Sequence, residues 1–89
     1  MAWTVEILPS AENDLRVLDR SVRQQVLSRL KWLVEHFEST NSRQLGGVWK
    51  GLFKLRAGDW RIAYTFDSSL KLIKVHIIGH RSKIYKRRK

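Results

Sequence analysis

Two runs of alternating residues, Val48 to Ala57 and Trp60 to Phe66, flank Gly58-Asp59, and this stretch constrains the chain more than any other. A two-residue loop at Gly58-Asp59 is a favoured hairpin connection, because glycine tolerates φ > 0 at the first central position. That loop predicts a register: Ala57 opposite Trp60, Arg56 opposite Arg61, Leu55 opposite Ile62, Lys54 opposite Ala63 and Phe53 opposite Tyr64. Side chains alternate across a strand, so the register sorts the hairpin into two faces. Trp49, Phe53, Leu55, Trp60, Ile62, Tyr64 and Phe66 share the apolar one. Lys50, Lys54, Arg56 and Arg61 share the other, with Leu52. Two arginines directly opposite one another repel, and within the hairpin only Asp59, in the loop, is acidic. A solvated basic face is one reading. A surface built to hold a polyanion is the sharper one, because guanidinium grips phosphate bidentately and lysine acts on it as a point charge.

The whole chain is basic to match. Its 89 residues carry 18 Lys and Arg against 8 Asp and Glu, a formal charge of +10. Self-repulsion on that scale points to an anionic partner, nucleic acid before an anionic membrane surface. The length fits one domain, residues 1–89. With no cysteine, disulfides and thiolate metal sites are excluded, and a reducing, cytoplasmic setting suits the chain. The N-terminus has Glu6 where a signal peptide would be apolar, and no apolar run approaches the roughly 20 residues of a membrane span.

The remaining elements follow from periodicity. Trp3 to Leu8 alternates as a strand, with Trp3, Val5 and Ile7 on one side, and Pro9 ends it. Ser10 is placed as the N-cap of a short helix carrying Ala11, Leu15 and Leu18, with Glu12 and Asp14 in its first turn. After a break at Asp19 to Ser21, a second helix carries a stripe of Val22, Val26, Leu30, Leu33, Val34 and Phe37. Residues 38–47 read as loop. Beyond the hairpin, Asp67-Ser68-Ser69 turns the chain into a last strand, Leu70 to Ile78, with Ile73, Val75 and Ile77 inward and Lys74 and His76 outward. Gly79 ends that strand or allows a bulge. Ser82 is placed as the cap of a short C-terminal helix holding Ile84 and Tyr85, followed by a basic tail. The expected fold is α+β: a helical hairpin packed on a small, mainly antiparallel four-stranded sheet, in the order β-α-α-β-β-β plus the short C-terminal helix. The four tryptophans are read as core or rim residues, not as a base-stacking platform.

That order of elements, with Leu52-Phe53-Lys54-Leu55-Arg56, then Gly58-Asp59-Trp60-Arg61-Ile62-Ala63-Tyr64, then Gly79-His80-Arg81-Ser82-Lys83-Ile84-Tyr85, resembles the RelE/ParE superfamily of toxin–antitoxin toxins over nearly the whole chain. The resemblance implies a metal-independent endoribonuclease, without cofactor, that enters the ribosomal A site and cleaves messenger RNA. There the ribose 2′-OH attacks the neighbouring phosphate and a 5′-OH leaves. It implies ribosomal RNA and mRNA as partners, and a cognate acidic RelB-like antitoxin. Such a step needs a base, cations around the developing phosphorane and an acid. By resemblance the catalytic set is Lys54 as base or charge stabiliser, Arg61 as transition-state stabiliser, Arg81 as acid or phosphate contact, and Tyr85 as the aromatic that stacks on or orients the substrate. Arg56 stands where members of the RelE branch carry a second lysine. Arg56, Lys50, His80 and Lys83 are assigned to substrate binding, and a direct part for His80 in the acid–base chemistry is left open. Two rivals remain open: a ParE-like inhibitor of DNA gyrase without nuclease activity, and a non-catalytic RNA-binding module.

Overall fold

A computed structural model describes residues 3–37, 48–49 and 52–84. In order, the elements are β1 (Thr4–Ile7), α1 (Pro9–Arg16), α2 (Arg20–His36), β2 (Val48–Trp49), β3 (Leu52–Ala57), β4 (Trp60–Asp67) and β5 (Leu72–His80). They form one sheet with the order β1-β5-β4-β3-β2. Every pairing is antiparallel except β1 with β5, which is parallel. The return from β1 to its parallel neighbour carries both helices across the sheet. The four expected strands are present, and Val48–Trp49 is a separate two-residue strand that adds a fifth. It pairs Trp49 with Leu52 and Val48 with Phe53, so the alternation predicted from Val48 onward begins only at Leu52.

The hairpin has the predicted register at all five pairs, from Phe53 with Tyr64 to Ala57 with Trp60. Gly58 takes φ 63°, and a Cβ there would lie 2.5 Å from Nε2 of Gln25. Glycine is therefore required for the turn, while the Gln25 side chain of α2 could swing aside from a larger residue. Along α2, Val26, Leu30 and Leu33 are buried, while Val22 and Val34 are half-buried. They close over Leu55, Ile62, Tyr64, Ile73 and Val75 to make the core. An aromatic group joins it, in which Trp3 lies 4.5 Å from Phe37 and Phe37 lies 5.0 Å from Phe66 between ring centroids. The two helices are also joined through hydrogen bonds. The Arg23 guanidinium donates to the carbonyls of Leu15 and Leu18, satisfying the C-terminal end of α1.

Three local expectations are corrected. Helix α1 begins at Pro9, whose missing N–H costs nothing in the first turn, and its N-cap is Leu8. Ser10 therefore does not cap; its hydroxyl donates to the carbonyl of His76 at 2.7 Å. In β5 a bulge breaks the alternation: Ala63 faces Ile77, but Tyr64 faces Val75. The extra residue shifts the parity, so Ile78 is buried where Ile77 was expected, and Ile77 is only half-buried. Helix α1 holds the bulge, because Asp14 Oδ2 accepts the N–H of Ile78 at 2.9 Å. The final strand also runs later than expected, to His80. Residues 81–83 form a turn leading into Ile84, and the expected helix from Tyr85 onward lies outside the described residues.

Candidate active site

The face of the sheet turned away from the core carries Lys54 opposite Ala63 and Arg56 opposite Arg61. Arg61 in turn faces Gly79 on β5. A Cβ on Gly79 would lie 3.3 Å from Cβ of Ile84, which is fully buried. The chain beyond β5 thus folds back over this face and closes on the one residue without a side chain.

At that end of the sheet the hairpin turn meets the turn after β5. The Arg81 N–H donates to the Asp59 carbonyl at 2.8 Å, and its Nε lies 3.5 Å from Asp59 Oδ1. Both side chains are more than 60% exposed (62% and 69%), so the ion pair adds little stability and yields readily to a competing anion. Arg61 Nη1 donates to the carbonyls of Gly58, at 2.8 Å, and Trp60, at 3.0 Å. A guanidinium has five N–H donors, so these bonds orient Arg61 without exhausting it. The Ser82 N–H donates to Nδ1 of His80 at 3.2 Å, with the Ser82 hydroxyl 2.9 Å from the same nitrogen. An amide can only donate, so Nδ1 is the acceptor and the neutral ring carries its hydrogen on Nε2. Arg61, His80, Arg81 and Ser82 together line an open cleft of about 500 Å³. Trp60, Gly79, His80, Ser82 and Lys83 line a second, of about 480 Å³, which shares the His80 and Ser82 wall.

Of the residues assigned from the sequence, Arg61, His80 and Arg81 come together in one cleft and Lys83 borders the next. Lys54 and Arg56 lie on the same face of β3, back from those walls. Lys50 and Tyr85 lie outside the described residues. Ser82, in the cleft wall, and Asp59, which holds Arg81 beside it, are not among the residues the sequence assigns. Asp59 was visible as the lone acid of the hairpin, but its contact with Arg81 depends on a residue 22 positions on. Ser82 reads as a helix cap from the sequence, and its spacing of two from His80 is the signal for its other role. His76, in the bulge, pairs with the Thr65 hydroxyl at 2.9 Å. Desolvation and then the nearby Lys74 charge hold its pKa below the ordinary value, and it takes no part in the cleft.

The family described as "ParE toxin of type II toxin-antitoxin system, parDE" matches residues 5–85. The chain belongs to the RelE/ParE superfamily. This toxin of a type II toxin–antitoxin module also resembles solved RelE structures. The toxin–antitoxin complex RelBE2 from Mycobacterium tuberculosis is similar with a TM-score of 0.74 at 21% identity, over 91% of this toxin and 100% of that chain. The isolated Escherichia coli RelE toxin is similar with a TM-score of 0.66 at 26% identity, over 96% of this toxin and 93% of that chain. The intact E. coli RelBE complex is similar with a TM-score of 0.65 at 25% identity, over 89% and 96%. No curated protein matches the toxin's sequence.

Proposed function

We propose that this toxin is a ribosome-dependent endoribonuclease that cuts mRNA in the A site. The observation that carries the reading is the convergence of Arg61, Arg81 and His80 on one open cleft at the end of a basic sheet face. The 2′-OH attacks the adjacent phosphorus, the bond to the 5′-oxygen breaks, and a 2′,3′-cyclic phosphate and a 5′-OH result. Negative charge grows on the phosphoryl oxygens during that step. Arg61, tied to the hairpin turn, and Arg81, which exchanges Asp59 for phosphate, stabilise it electrostatically. His80, with Nδ1 engaged by Ser82, offers its Nε2 hydrogen to a phosphate or leaving oxygen. Lys54 acts from the same face as charge stabiliser or base, Arg56, Lys50 and Lys83 draw in the RNA backbone, and Tyr85 orients the substrate. Translating ribosomes treated with the toxin should acquire new mRNA 5′ ends within A-site codons. An acidic antitoxin segment that folds onto the basic and apolar surfaces neutralises the toxin. The similar RelBE structures are complexes of toxin with antitoxin and support this.

One observation favours a second reading. The matching family is named for ParE, so inhibition of DNA gyrase by binding is the rival. A supercoiling assay run beside the mapping of 5′ ends separates the two. Inhibited supercoiling with intact mRNA replaces the ribonuclease with a gyrase inhibitor.

A further inference from the structure

The second cleft has a use that the chemistry of the first does not supply. We propose that the cleft of Trp60, Gly79, His80, Ser82 and Lys83 receives a nucleobase of the RNA, the one flanking the phosphate held by Arg61 and Arg81. The proposal rests on the ribonuclease reading and extends it to recognition of the substrate.

Three observations support it. First, the two clefts are contiguous: His80 and Ser82 form a wall of each. A nucleotide joins a charged phosphate to a flat apolar base, and neighbouring polar and apolar compartments match that division. Second, the cleft's walls are mostly apolar, and the half-buried Trp60 supplies an aromatic wall. Trp60 and His80 face each other across the β4–β5 ladder, and their rings meet edge to face at 5.3 Å between centroids. That packing presents an aromatic surface at low entropic cost, because each ring restrains the other. Base–aromatic stacking accepts any base, since every base has a π-face. Third, Lys83 stands at the rim, so the approach to this apolar pocket is itself cationic. A purely apolar protein segment would gain nothing from that charge, whereas a nucleotide gains at both ends. Trp60 does pack against the core with one side. Its half-buried place agrees with the sequence reading of a core or rim residue, and the stacking role that the reading set aside comes from the pocket beside it.

The test uses ribosomes programmed with mRNAs in which each A-site nucleotide in turn is abasic. Single-turnover cleavage is measured for the wild-type toxin, Trp60→Leu and Trp60→Phe, with thermal melting of each variant as a folding control. With wild type, one abasic position should slow cleavage by about 5- to 150-fold, the range expected for one lost base–aromatic stack. Trp60→Leu should cleave the intact mRNA more slowly and show no further loss at that position. Trp60→Phe, which keeps an aromatic ring and the fold, should retain most of the abasic penalty. The same penalty in all three proteins, or none in wild type, overturns the pocket and leaves the ribonuclease standing. Intact mRNA in every reaction overturns the ribonuclease reading, and the pocket with it.

Discussion

On the helix-covered side of the sheet, Ile62, Tyr64, Ile73 and Val75 are sealed from solvent beneath Val26, Leu30 and Leu33. On the other side, the same strands present Lys54, Arg56 and Arg61 beside an apolar closure, Ile84 over Gly79. The first surface is held by many interdigitated contacts, each small and all dependent on fit. The second is held by a few directional bonds, from Arg61 to the turn carbonyls and from Arg81 to Asp59. Stability is therefore concentrated on one face, and on the ribonuclease reading the arginines that stabilise the phosphate project from the other. Substitutions at neighbouring positions should affect different properties.

Arg61 and Ile62 make the strongest test, because they are adjacent in the chain and point to opposite faces. Ile62→Ala removes a fully buried side chain and should cost about 2–5 kcal/mol of stability. That is a large fraction of the roughly 5–15 kcal/mol typical of a domain. Arg61→Ala should leave thermal stability within a few degrees and lower single-turnover cleavage by about 10²- to 10³-fold, or roughly 3–4 kcal/mol. Arg81→Ala and Lys54→Ala should behave like Arg61→Ala, with ribosome affinity falling much less because many cations share that binding. Denaturant melts and cleavage rates at saturating toxin decide it. A melting loss in Arg61→Ala equal to that of Ile62→Ala would erase the division between the faces. Normal cleavage by both Lys54→Ala and Arg81→Ala would move the assignment to gyrase inhibition.

The bulge in β5 is where the two faces communicate. Asp14 and Ser10, on the helix side, bond the backbone at Ile78 and His76, and that backbone leads directly into Gly79, His80 and Arg81. Asp14→Ala removes a charged acceptor from a backbone N–H, at a cost of roughly 1–3 kcal/mol. Unlike a core cavity, it should also lower cleavage, because the strand that carries the cleft wall loses an anchor. Melting and cleavage should fall together, and cleavage by the fraction that remains folded should still be below wild type. Full activity in the folded fraction would confine Asp14 to stability.

Those bonds also explain which parts of the structure the sequence discloses. The β3–β4 register is written in four consecutive residues, since Gly58 fixes the turn and the turn fixes every pair after it. The helix stripe is equally local. The parity of β5 is not, because its bulge depends on Ser10 and Asp14, which lie more than 60 residues earlier. No short pattern around His76 announces it, and Gly79, the one visible irregularity, serves a different purpose beneath Ile84. The cleft divides the same way. Arg61, His80 and Arg81 stand in short patterns that resemble the superfamily, whereas Asp59 and Ser82 matter through contacts made only once the two turns meet. Trp60 was legible as an aromatic at the rim, but the space beside it was not.

Tyr64 tests the buried face by pH. Its hydroxyl is buried with no hydrogen-bond partner among the described residues, and burial pushes its pKa from the ordinary 10 up to about 12. The folded state thus resists ionisation that the unfolded chain permits. Its contribution is complete below pH 10 and is lost as pH rises from 10 toward 12. Other groups titrate in that range, lysines above all, so the comparison is with Tyr64→Phe. The two proteins should have similar melting temperatures at pH 8, and wild type should fall faster above pH 10. Parallel curves to pH 12 would mean that the phenol ionises as easily in the folded protein as in the unfolded one.

The smallest effect lies on the open face and should have the opposite sign. Arg56 stands directly opposite Arg61, and like charges so placed destabilise a strand pair by some tenths of a kcal/mol. Arg61 already turns its guanidinium toward the Gly58 and Trp60 carbonyls, which limits the repulsion that remains. Arg56→Ala should raise stability by about 0.2–1 kcal/mol. The bond that Arg29 donates at 2.9 Å goes to the Arg56 backbone carbonyl, so the substitution leaves it in place. At about 1 M salt, where the screening length is near 3 Å, the gain should shrink. On the ribonuclease reading cleavage should move the other way, because there Arg56 draws in the RNA backbone. A gain in stability with a loss of mRNA cleavage would show one residue kept for function at a cost in folding. A loss in both would mean that the aliphatic stem of Arg56 supports the sheet more than its charge strains it.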